Sequence, residues 1–248
     1  MTYLIWLLLI LPVPLLAQDI PTLLREAERL EQGFREAEAL QKYKEVLRLQ
    51  PNHLTALCKS SDLSSRIGHR QTNKTTQAEY YKAAKTYAEA ALKVNPHSAE
   101  ANFVMSVAMG RMAMLTSGKE KLQYVNEIRR YAENTLKYDP NNFKAYHVLG
   151  KWHYEVSNLS SFERTMAKLL FGALPKASLR DAIMYYEKSR SLEPNFPINY
   201  LELAKAYHRN DETKKAVDLL TRLQTIPNRI EDDARIKKEG KQLLEEIR

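Results

Sequence analysis

The 248-residue chain is poor in glycine and has a single cysteine. Its seven glycines are under half of the usual share of about 7%, so few tight turns, hairpins or phosphate-binding loops can be built from them. This argues against an all-β fold and against a nucleotide-binding α/β fold. One cysteine excludes an intramolecular disulfide framework and a cysteine-rich zinc site. Lys, Glu, Ala and Leu dominate instead, together with 14 tyrosines, and this composition predicts an all-α fold.

Sequence motifs of catalysis, metal binding and cofactor binding are also missing. No HExxH, GxGxxG, GxxxxGKS/T or GxSxG occurs, and none of the six histidines forms a close pair with another at metal-ligand spacing. We therefore predict no enzyme activity, no catalytic residue, no metal and no cofactor.

The first residues have the character of a targeting segment. Residues 3–16 read YLIWLLLILPVPLL, an uncharged apolar run that is shorter than the roughly 20 residues of a transmembrane helix. Polar sequence follows Ala17, which predicts a signal peptide of residues 1–17 and a periplasmic or secreted mature chain. No Lys or Arg precedes the run, and Leu15 is large for its place before the cleavage site. A membrane anchor that is never removed is therefore the alternative.

A pattern of small, aromatic and proline positions recurs through the rest of the chain. The matching positions are Ala39, Tyr43, Val46 and Pro51; Ala84, Ala88, Ala91 and Pro96; Ile128, Ala132, Thr135 and Pro140; Ala182, Tyr186, Ser189 and Pro194; and Ala216, Leu220, Leu223 and, one place early, Pro227. This spacing resembles the second helix of a tetratricopeptide repeat, in which the proline ends the helix. The first-helix pattern W-x2-L-G-x2-Y is matched around Gly150, a residue that we expect to let two helices approach closely.

These patterns predict a tetratricopeptide-repeat α-solenoid of about five helix pairs in residues 18–248. The predicted repeats are residues 20–53, 54–98, 99–142, 143–196 and 197–229, followed by a capping helix in residues 230–248. The fourth repeat is longer than the others. Phe162, Met166, Leu169 and Leu170 lie at helical spacing in the extra residues, which predicts an inserted helix that ends near Gly172, before Pro175.

Residues 146–196 resemble the regulator of microtubule dynamics family. The matching elements are LGKW, Glu155-Val156, Glu163-Arg164, LFG, Pro175 and the helix that ends before Pro194. The resemblance extends over about residues 99–210. It implies an all-helical binding protein of a kind that associates with microtubules in eukaryotes, and it implies no catalytic residue. Together with the predicted signal peptide it indicates an exported bacterial member, which would not meet microtubules.

In stacked repeats the first helix of each pair lines a concave groove. The predicted partner-binding residues are Phe103 and Arg111 in the third repeat, Lys144, His147, Lys151 and Tyr154 in the fourth, and Lys205, His208 and Arg209 in the fifth. This set is basic with aromatic edges and suits an acidic peptide or a C-terminal carboxylate. Lys151 and Lys205 take positions where the carboxylate clamp of such repeats has Asn, so the match is incomplete. A solvated helix face is the alternative explanation of these residues.

If the groove explanation holds, replacing Lys151 and Lys205 by Glu should leave helicity unchanged and remove a partner. Elsewhere, structural roles are favoured over chemical ones. We expect Glu155 and Arg164 to form an ion pair that ties the inserted helix to its repeat, rather than an acid–base pair. Trp152 is expected to anchor the core, and Cys58 to be a packed small residue whose thiol nothing activates.

The positive charge is concentrated in the central repeats. Residues 42–151 hold 18 basic and 9 acidic side chains, a net charge of +9. Such a stretch could attract nucleic acid, anionic lipid or an acidic protein. The lysines are spread at helical intervals as on a solvated outer face, which argues against nucleic acid. The predicted partner is an unidentified protein or peptide, which could be acidic, and membrane contact requires an uncleaved N-terminal segment.

The sequence therefore favours a non-enzymatic, exported protein-interaction scaffold. The alternative is a microtubule-binding regulator, as the family resemblance implies.

Overall fold

The computed structural model describes residues 19–172 and 176–248. The predicted signal peptide and Pro175 lie outside the described residues. Within them the chain forms twelve α-helices and no β-strand, which confirms the predicted all-α class. The helices are α1 (Ile20–Gln32), α2 (Glu36–Leu49), α3 (Leu54–Arg70), α4 (Lys74–Val94), α5 (Ala99–Ala113), α6 (Gly118–Tyr138), α7 (Phe143–Val156), α8 (Ser161–Phe171), α9 (Leu179–Leu192), α10 (Pro197–Arg209), α11 (Thr213–Thr225) and α12 (Asp233–Ile247). In this part of the chain, no helix combines the length and the apolar character needed to span a membrane.

The turns between repeats couple the end of one helix to the start of the next. Each proline of the repeat pattern lies just after a second helix, where its ring prevents the helix from continuing. The residue two places later then caps the next first helix in three of the turns. Ser98 accepts a hydrogen bond from the backbone N–H of Ala101, and Asn142 accepts one from Ala145. His53 caps α3 in the same way through Nδ1, 3.2 Å from the N–H of Ala56. These caps satisfy backbone donors that a helix start leaves unpaired.

The helices pair in antiparallel repeats as the sequence pattern predicts. The pairs are α1 with α2, α3 with α4, α5 with α6, α7 with α9, and α10 with α11. Each second helix also packs on the first helix of the next pair, and α3, α5, α7 and α10 contact their neighbours in turn. These four first helices form one layer of the array, which we call the inner face. The inserted helix α8 packs on α6, and α12 packs on α10 and α11 as a cap, so the predicted solenoid is confirmed.

The repeat positions form the core between the helices. Fourteen of them are fully buried: Ala39, Tyr43, Val46, Ala84, Ala88, Ala91, Ala132, Thr135, Ala182, Tyr186, Ser189, Ala216, Leu220 and Leu223. Gly150 of α7 lies directly against the ring of Tyr186 on α9. A Cβ at Gly150 would lie 2.6 Å from Cδ1 of that ring, so only glycine allows this approach, as expected. Trp152 is also buried, and its indole N–H donates to the carbonyl of Val125 at 2.8 Å, which confirms its anchoring role.

The inserted helix is present but packs less than its apolar pattern suggests. It starts with a capping box between Ser160 and Glu163 and ends at Gly172, whose φ of 73° is left-handed. Phe162 is 70% exposed and Leu169 is 78% exposed. Within the described residues the helix packs mainly on α6, and one side of its apolar pattern lies at the surface.

The expected ion pair between Glu155 and Arg164 is wrong. Glu155 lies 2.9 Å from the ammonium of Lys151 on its own helix. Arg164 donates instead to the carbonyls of Leu159 (3.0 Å) and Ser157 (3.2 Å). Because these carbonyls lie at the end of α7, Arg164 still ties α8 to the repeat, but through backbone acceptors.

The two ends of the array meet through a cluster of charges. Arg70 at the end of α3 binds Glu36 of α2 at 2.8 Å, and reaches Glu231 (3.0 Å) and Asp232 (3.1 Å) just before α12. The backbone N–H of Glu36 donates to the carboxylate of Glu231 at 2.6 Å. Glu36 is only 1% exposed. Contacts across 195 residues of sequence show that the solenoid curves enough to bring its first and last repeats together.

Candidate functional site

The inner face brings most of the predicted partner-binding residues together in two groups. Helices α7 and α10 place His147, Lys151, Tyr154, Lys205 and Arg209 in one group. The other group contains Phe103 and Arg111 of α5, with Lys144 of α7 beside Phe103. His208 belongs to neither group, since it is exposed and its Nδ1 lies 3.3 Å from Oγ1 of Thr213 at the start of α11.

A carboxylate of the protein itself forms ion pairs with both lysines of the first group. Glu202 of α10 lies 2.7 Å from Nζ of Lys151 and 3.0 Å from Nζ of Lys205. Lys151 also pairs with Glu155, and Lys205 pairs with Glu239 of α12 at 2.7 Å. The inner face therefore carries an internal equivalent of the carboxylate that these lysines were expected to take from a partner.

The electrostatics of this cluster favour the charged form of each member. Burial would raise the pKa of Glu202, but the ammonium groups of Lys151 and Lys205 outweigh it and hold that pKa below its usual value. Burial likewise opposes the charge of Lys151, yet Glu202 and Glu155 raise the pKa of the ammonium above its ordinary value. All three groups are thus ionised at neutral pH, and a partner's carboxylate would have to displace Glu202.

Sequence reasoning missed Glu202. The signal that could have found it was a carboxylate within the otherwise apolar stripe of YLELAKAY, three residues before Lys205. The structure also changes what we expect of the double variant Lys151→Glu with Lys205→Glu. It would surround Glu202 with further carboxylates, and like charges at this distance repel. A lost partner could then result from lost folding, so this variant is a poor test of the groove.

His147 has a structural role within the first group. Its Nδ1 lies 3.0 Å from Oδ1 of Asn199, whose amide donates to the carbonyl of Tyr186 at 2.9 Å. The Asn199 oxygen is thus an acceptor, which makes Nδ1 of His147 the protonated nitrogen. The ring packs between Tyr186 and Phe196, and burial lowers its pKa. His147 therefore links α7 to α10 as a neutral side chain.

Arg209 also links α10 to α7, near the C-terminal end of both helices. Its guanidinium lies 5.1 Å from the ring centroid of Tyr154 and donates to the Tyr154 carbonyl at 3.1 Å. It also reaches Oγ of Ser157 at 3.3 Å. Tyr154 remains half-buried, with Lys151 over its ring at 5.7 Å. The tyrosine thus presents an aromatic edge flanked by two cations on the inner face.

The second group is built around α5. Lys144 lies 5.0 Å from the ring centroid of Phe103 and 4.0 Å from the carboxylate of Glu100. Phe103 itself is buried, so the ammonium of Lys144 packs against a fixed ring. Arg111, two turns further along α5, lies 3.2 Å from Nδ1 of His69 and 5.7 Å from the ring centroid of Tyr81.

The described residues contain no candidate metal site. None of their His, Cys, Asp and Glu side chains forms a group of three or more that could hold a metal ion. Cys58 is buried, and burial raises the pKa of its thiol to about 12, so the thiolate is scarce at neutral pH. The prediction that Cys58 is a packed, unactivated residue is confirmed.

Open grooves lie on the outer side of the array. A groove of about 550 Å³ lies over α5 between α4 and α6, with Met105, Met109 and Tyr131 in its lining. An equivalent groove of about 420 Å³ lies over α10 between α9 and α11, with Tyr200 and Tyr207 in its lining. Their repeated position shows that they follow from the packing of neighbouring pairs.

Comparison with known proteins agrees with this architecture. A family model described as "Regulator of microtubule dynamics protein 1-3" matches residues 23–248, a wider range than the resemblance seen in the sequence. Regulator of microtubule dynamics protein 3 of Rattus norvegicus is 26% identical over 234 residues, covering 91% of this chain and 49% of that protein. Regulator of microtubule dynamics protein 1 of Bos taurus is 28% identical over 159 residues, covering 64% and 50%. The chain thus spans about half the length of these curated relatives.

A solved structure shows the same fold at much lower sequence similarity. A thermophilic tetratricopeptide protein of Thermus thermophilus superposes with a TM-score of 0.68, covering 91% of this chain and 99% of that one. Its sequence identity is 14%, so the likeness concerns the fold alone.

Proposed function

The chain belongs to the regulator of microtubule dynamics family, and we propose that it is a non-enzymatic scaffold that binds a protein or peptide on its inner face. The observation that carries this proposal is the inner layer of first helices, on which α5, α7 and α10 present aromatic edges and charged side chains. Repeat solenoids use such extended surfaces for binding. The tetratricopeptide fold and the names of the relatives support a binding role rather than an enzymatic one.

The chemistry of the inner face favours a polar partner. Tyr154 and Lys144 are half-buried and remain accessible, while the lysine–carboxylate cluster at Glu202 holds α7, α10 and α12 in place behind them. A bound segment would therefore meet a largely polar surface with few apolar contacts. Affinity on such a surface depends on matched charges and hydrogen bonds, which favours specificity over strength.

Site-specific photocrosslinking in the native cell tests the binding face. A benzophenone amino acid replaces Tyr154 on the inner face, and in a matched control it replaces Tyr131 in the outer groove. We expect one or more discrete crosslinked proteins from position 154 and none from position 131. Capture from position 131 alone, or from neither position, would contradict an inner-face scaffold.

We further propose that the chain is exported and that residues 1–17 are removed. The apolar run and the polar sequence after Ala17 support this. N-terminal sequencing of the protein purified from its own cell should then read from Gln18. A chain that begins at Met1 and sediments with membranes would instead support an anchored form.

The second candidate function is microtubule regulation, which the names of the relatives favour. Co-sedimentation of the purified chain with polymerised tubulin, at low and at physiological salt, tests it directly. A saturable fraction in the pellet that persists at physiological salt would favour this function. Binding that disappears with salt would reflect only the positive charge of the chain.

A further inference from the structure

Among the described residues, the Lys and Arg side chains of the inner-face helices α3, α5, α7 and α10 have partners within the protein, with the exception of Arg111. The basic side chains that lie within 4.0 Å of a carboxylate are Lys59, Arg66, Arg70, Lys144, Lys151, Lys205 and Arg235. Arg209 is satisfied by backbone carbonyls instead. Arg111 has neither kind of partner among the described residues.

The surroundings of Arg111 solvate its charge only weakly. Its Nη1 lies 3.2 Å from Nδ1 of His69 and 3.9 Å from the sulfur of Met114, and its Nε–H is buried without an acceptor. Burial lowers the pKa of His69 to about 4, with a further contribution from Arg111, so this imidazole is neutral and supplies no negative charge. The C-terminal turn of α5, the ring and hydroxyl of Tyr81, and the more distant carboxylates of Asp62 and Asp232 offset part of the cost.

A partly buried guanidinium without an anion is costly, and a bound anion would remove that cost. We propose that Arg111 is the subsite that holds a carboxylate of the bound partner peptide. This proposal rests on the inner-face binding function proposed above and names its chemistry. It also replaces Lys151 and Lys205, whose charges Glu202, Glu155 and Glu239 already neutralise, as the place where an acidic group docks.

The local charges select a carboxylate over a phosphate. Burial lowers the pKa of Arg111, and Arg235 adds to this effect, whereas Tyr81, Asp232 and Asp62 oppose it only in part. Because Asp62 and Asp232 would repel a second negative charge, a monoanion suits this site better than a phosphate dianion. A planar carboxylate also fits the planar donor fork of a single arginine. Met114 is exposed beside the guanidinium, so a peptide can reach this side of α5.

The first experiment measures binding of a fluorescein-labelled hexaglutamate peptide to the full chain, with hexaglutamine as the uncharged probe. Arg111→Gln should weaken hexaglutamate binding about tenfold or more, because a charge-assisted hydrogen-bond pair is lost. Arg111→Lys should be intermediate. Arg130→Gln on the outer helix α6 removes the same charge and should stay within about twofold. Equal losses in the Arg111 and Arg130 variants, or no difference between the two peptides, would overturn the proposal.

The second experiment repeats the photocrosslinking from position 154 in the Arg111→Gln and Arg130→Gln backgrounds. Loss of capture in the first background alone supports the Arg111 subsite. Unchanged capture in both would overturn the subsite and leave the scaffold function standing. Circular dichroism and thermal melts of each variant show whether folding is retained, and Arg111→Met provides an apolar replacement of similar length if the glutamine variant unfolds.

Discussion

Glu202→Gln should destabilise the solenoid, because it removes the carboxylate that two lysines share. The side chain of Glu202 is 8% exposed, and it accepts from Lys151 at 2.7 Å and from Lys205 at 3.0 Å. Glutamine keeps the size of the side chain and can still accept a hydrogen bond. It removes the negative charge that offsets the free-energy cost of partly burying the two ammonium groups.

The expected loss is about 2 kcal/mol in the free energy of unfolding. Removing one partner of a buried ion pair costs about 3–5 kcal/mol. Two features reduce this cost here. The side chains of Lys151 and Lys205 are 44% and 28% exposed, so water screens them, and each keeps a second carboxylate, Glu155 or Glu239. For a chain of this size, about 2 kcal/mol corresponds to a fall of about 4–8 °C in Tm.

Urea unfolding followed by circular dichroism measures this loss, and its pH dependence tests the cause. The lysines hold the pKa of Glu202 below its usual value against the effect of burial. The contribution of Glu202 is therefore fully present above the usual carboxyl pKa of about 4.3 and is lost as pH falls through the lower folded-state value. The gap between wild type and Glu202→Gln should be constant from pH 7 to pH 5 and should narrow below that range.

Glu239→Gln is the matched control. Glu239 also pairs with Lys205 but is largely exposed, so its loss should cost under about 1 kcal/mol. Equal stability of wild type and Glu202→Gln at pH 7 would refute the argument. A gap that stays unchanged down to acid pH would also refute it, since the effect would then come from packing and not from charge.

Three further predictions concern single positions. Gly150→Ala should lower the free energy of unfolding by about 1–3 kcal/mol, because its Cβ would lie 2.6 Å from the ring of Tyr186. In thermal melts Gly110→Ala should be neutral or slightly stabilising, because the nearest side-chain atom to its Cβ, in Ile128, is 3.9 Å away. Cys58 should resist a thiol reagent at pH 7–8 in the native protein and react after unfolding in urea, since burial raises its pKa to about 12; fast native labelling would contradict this. Arg70→Gln should speed hydrogen exchange in α2 and α12 but not in α6, because it separates the two ends of the array; unchanged exchange would show that the contact between the ends contributes no stability.

The repeat architecture was predictable because it depends on local, periodic features. Small and aromatic residues at a fixed spacing, followed by a proline, specify a helix pair from local sequence alone. The buried positions agree with that spacing. The role of Gly150 was predictable for the same reason, since a glycine at this position of the first-helix pattern allows a second helix to approach closely. The inserted helix followed from its apolar spacing and from Gly172 at its end.

The charged inner face was less predictable, because pairing between charges depends on distances across the fold. The sequence identified Lys151 and Lys205 as binding residues, but they share Glu202 on the same inner face, and Glu155 and Glu239 complete their pairing. Glu155 and Arg164 look like a pair in the sequence and instead bind other groups.

The sequence by itself determined that this protein is a helical repeat array, which helices pair, and where one extra helix is inserted. Helix periodicity, caps and proline stops act within about one turn of their own position, so they can be read without coordinates. Only the tertiary structure decided which charges are matched, that the first and last repeats meet at Arg70, and that Arg111 is left without an anion among the described residues. Those features depend on the curvature of the whole solenoid, which sums small rotations over every repeat and is not encoded at any single position.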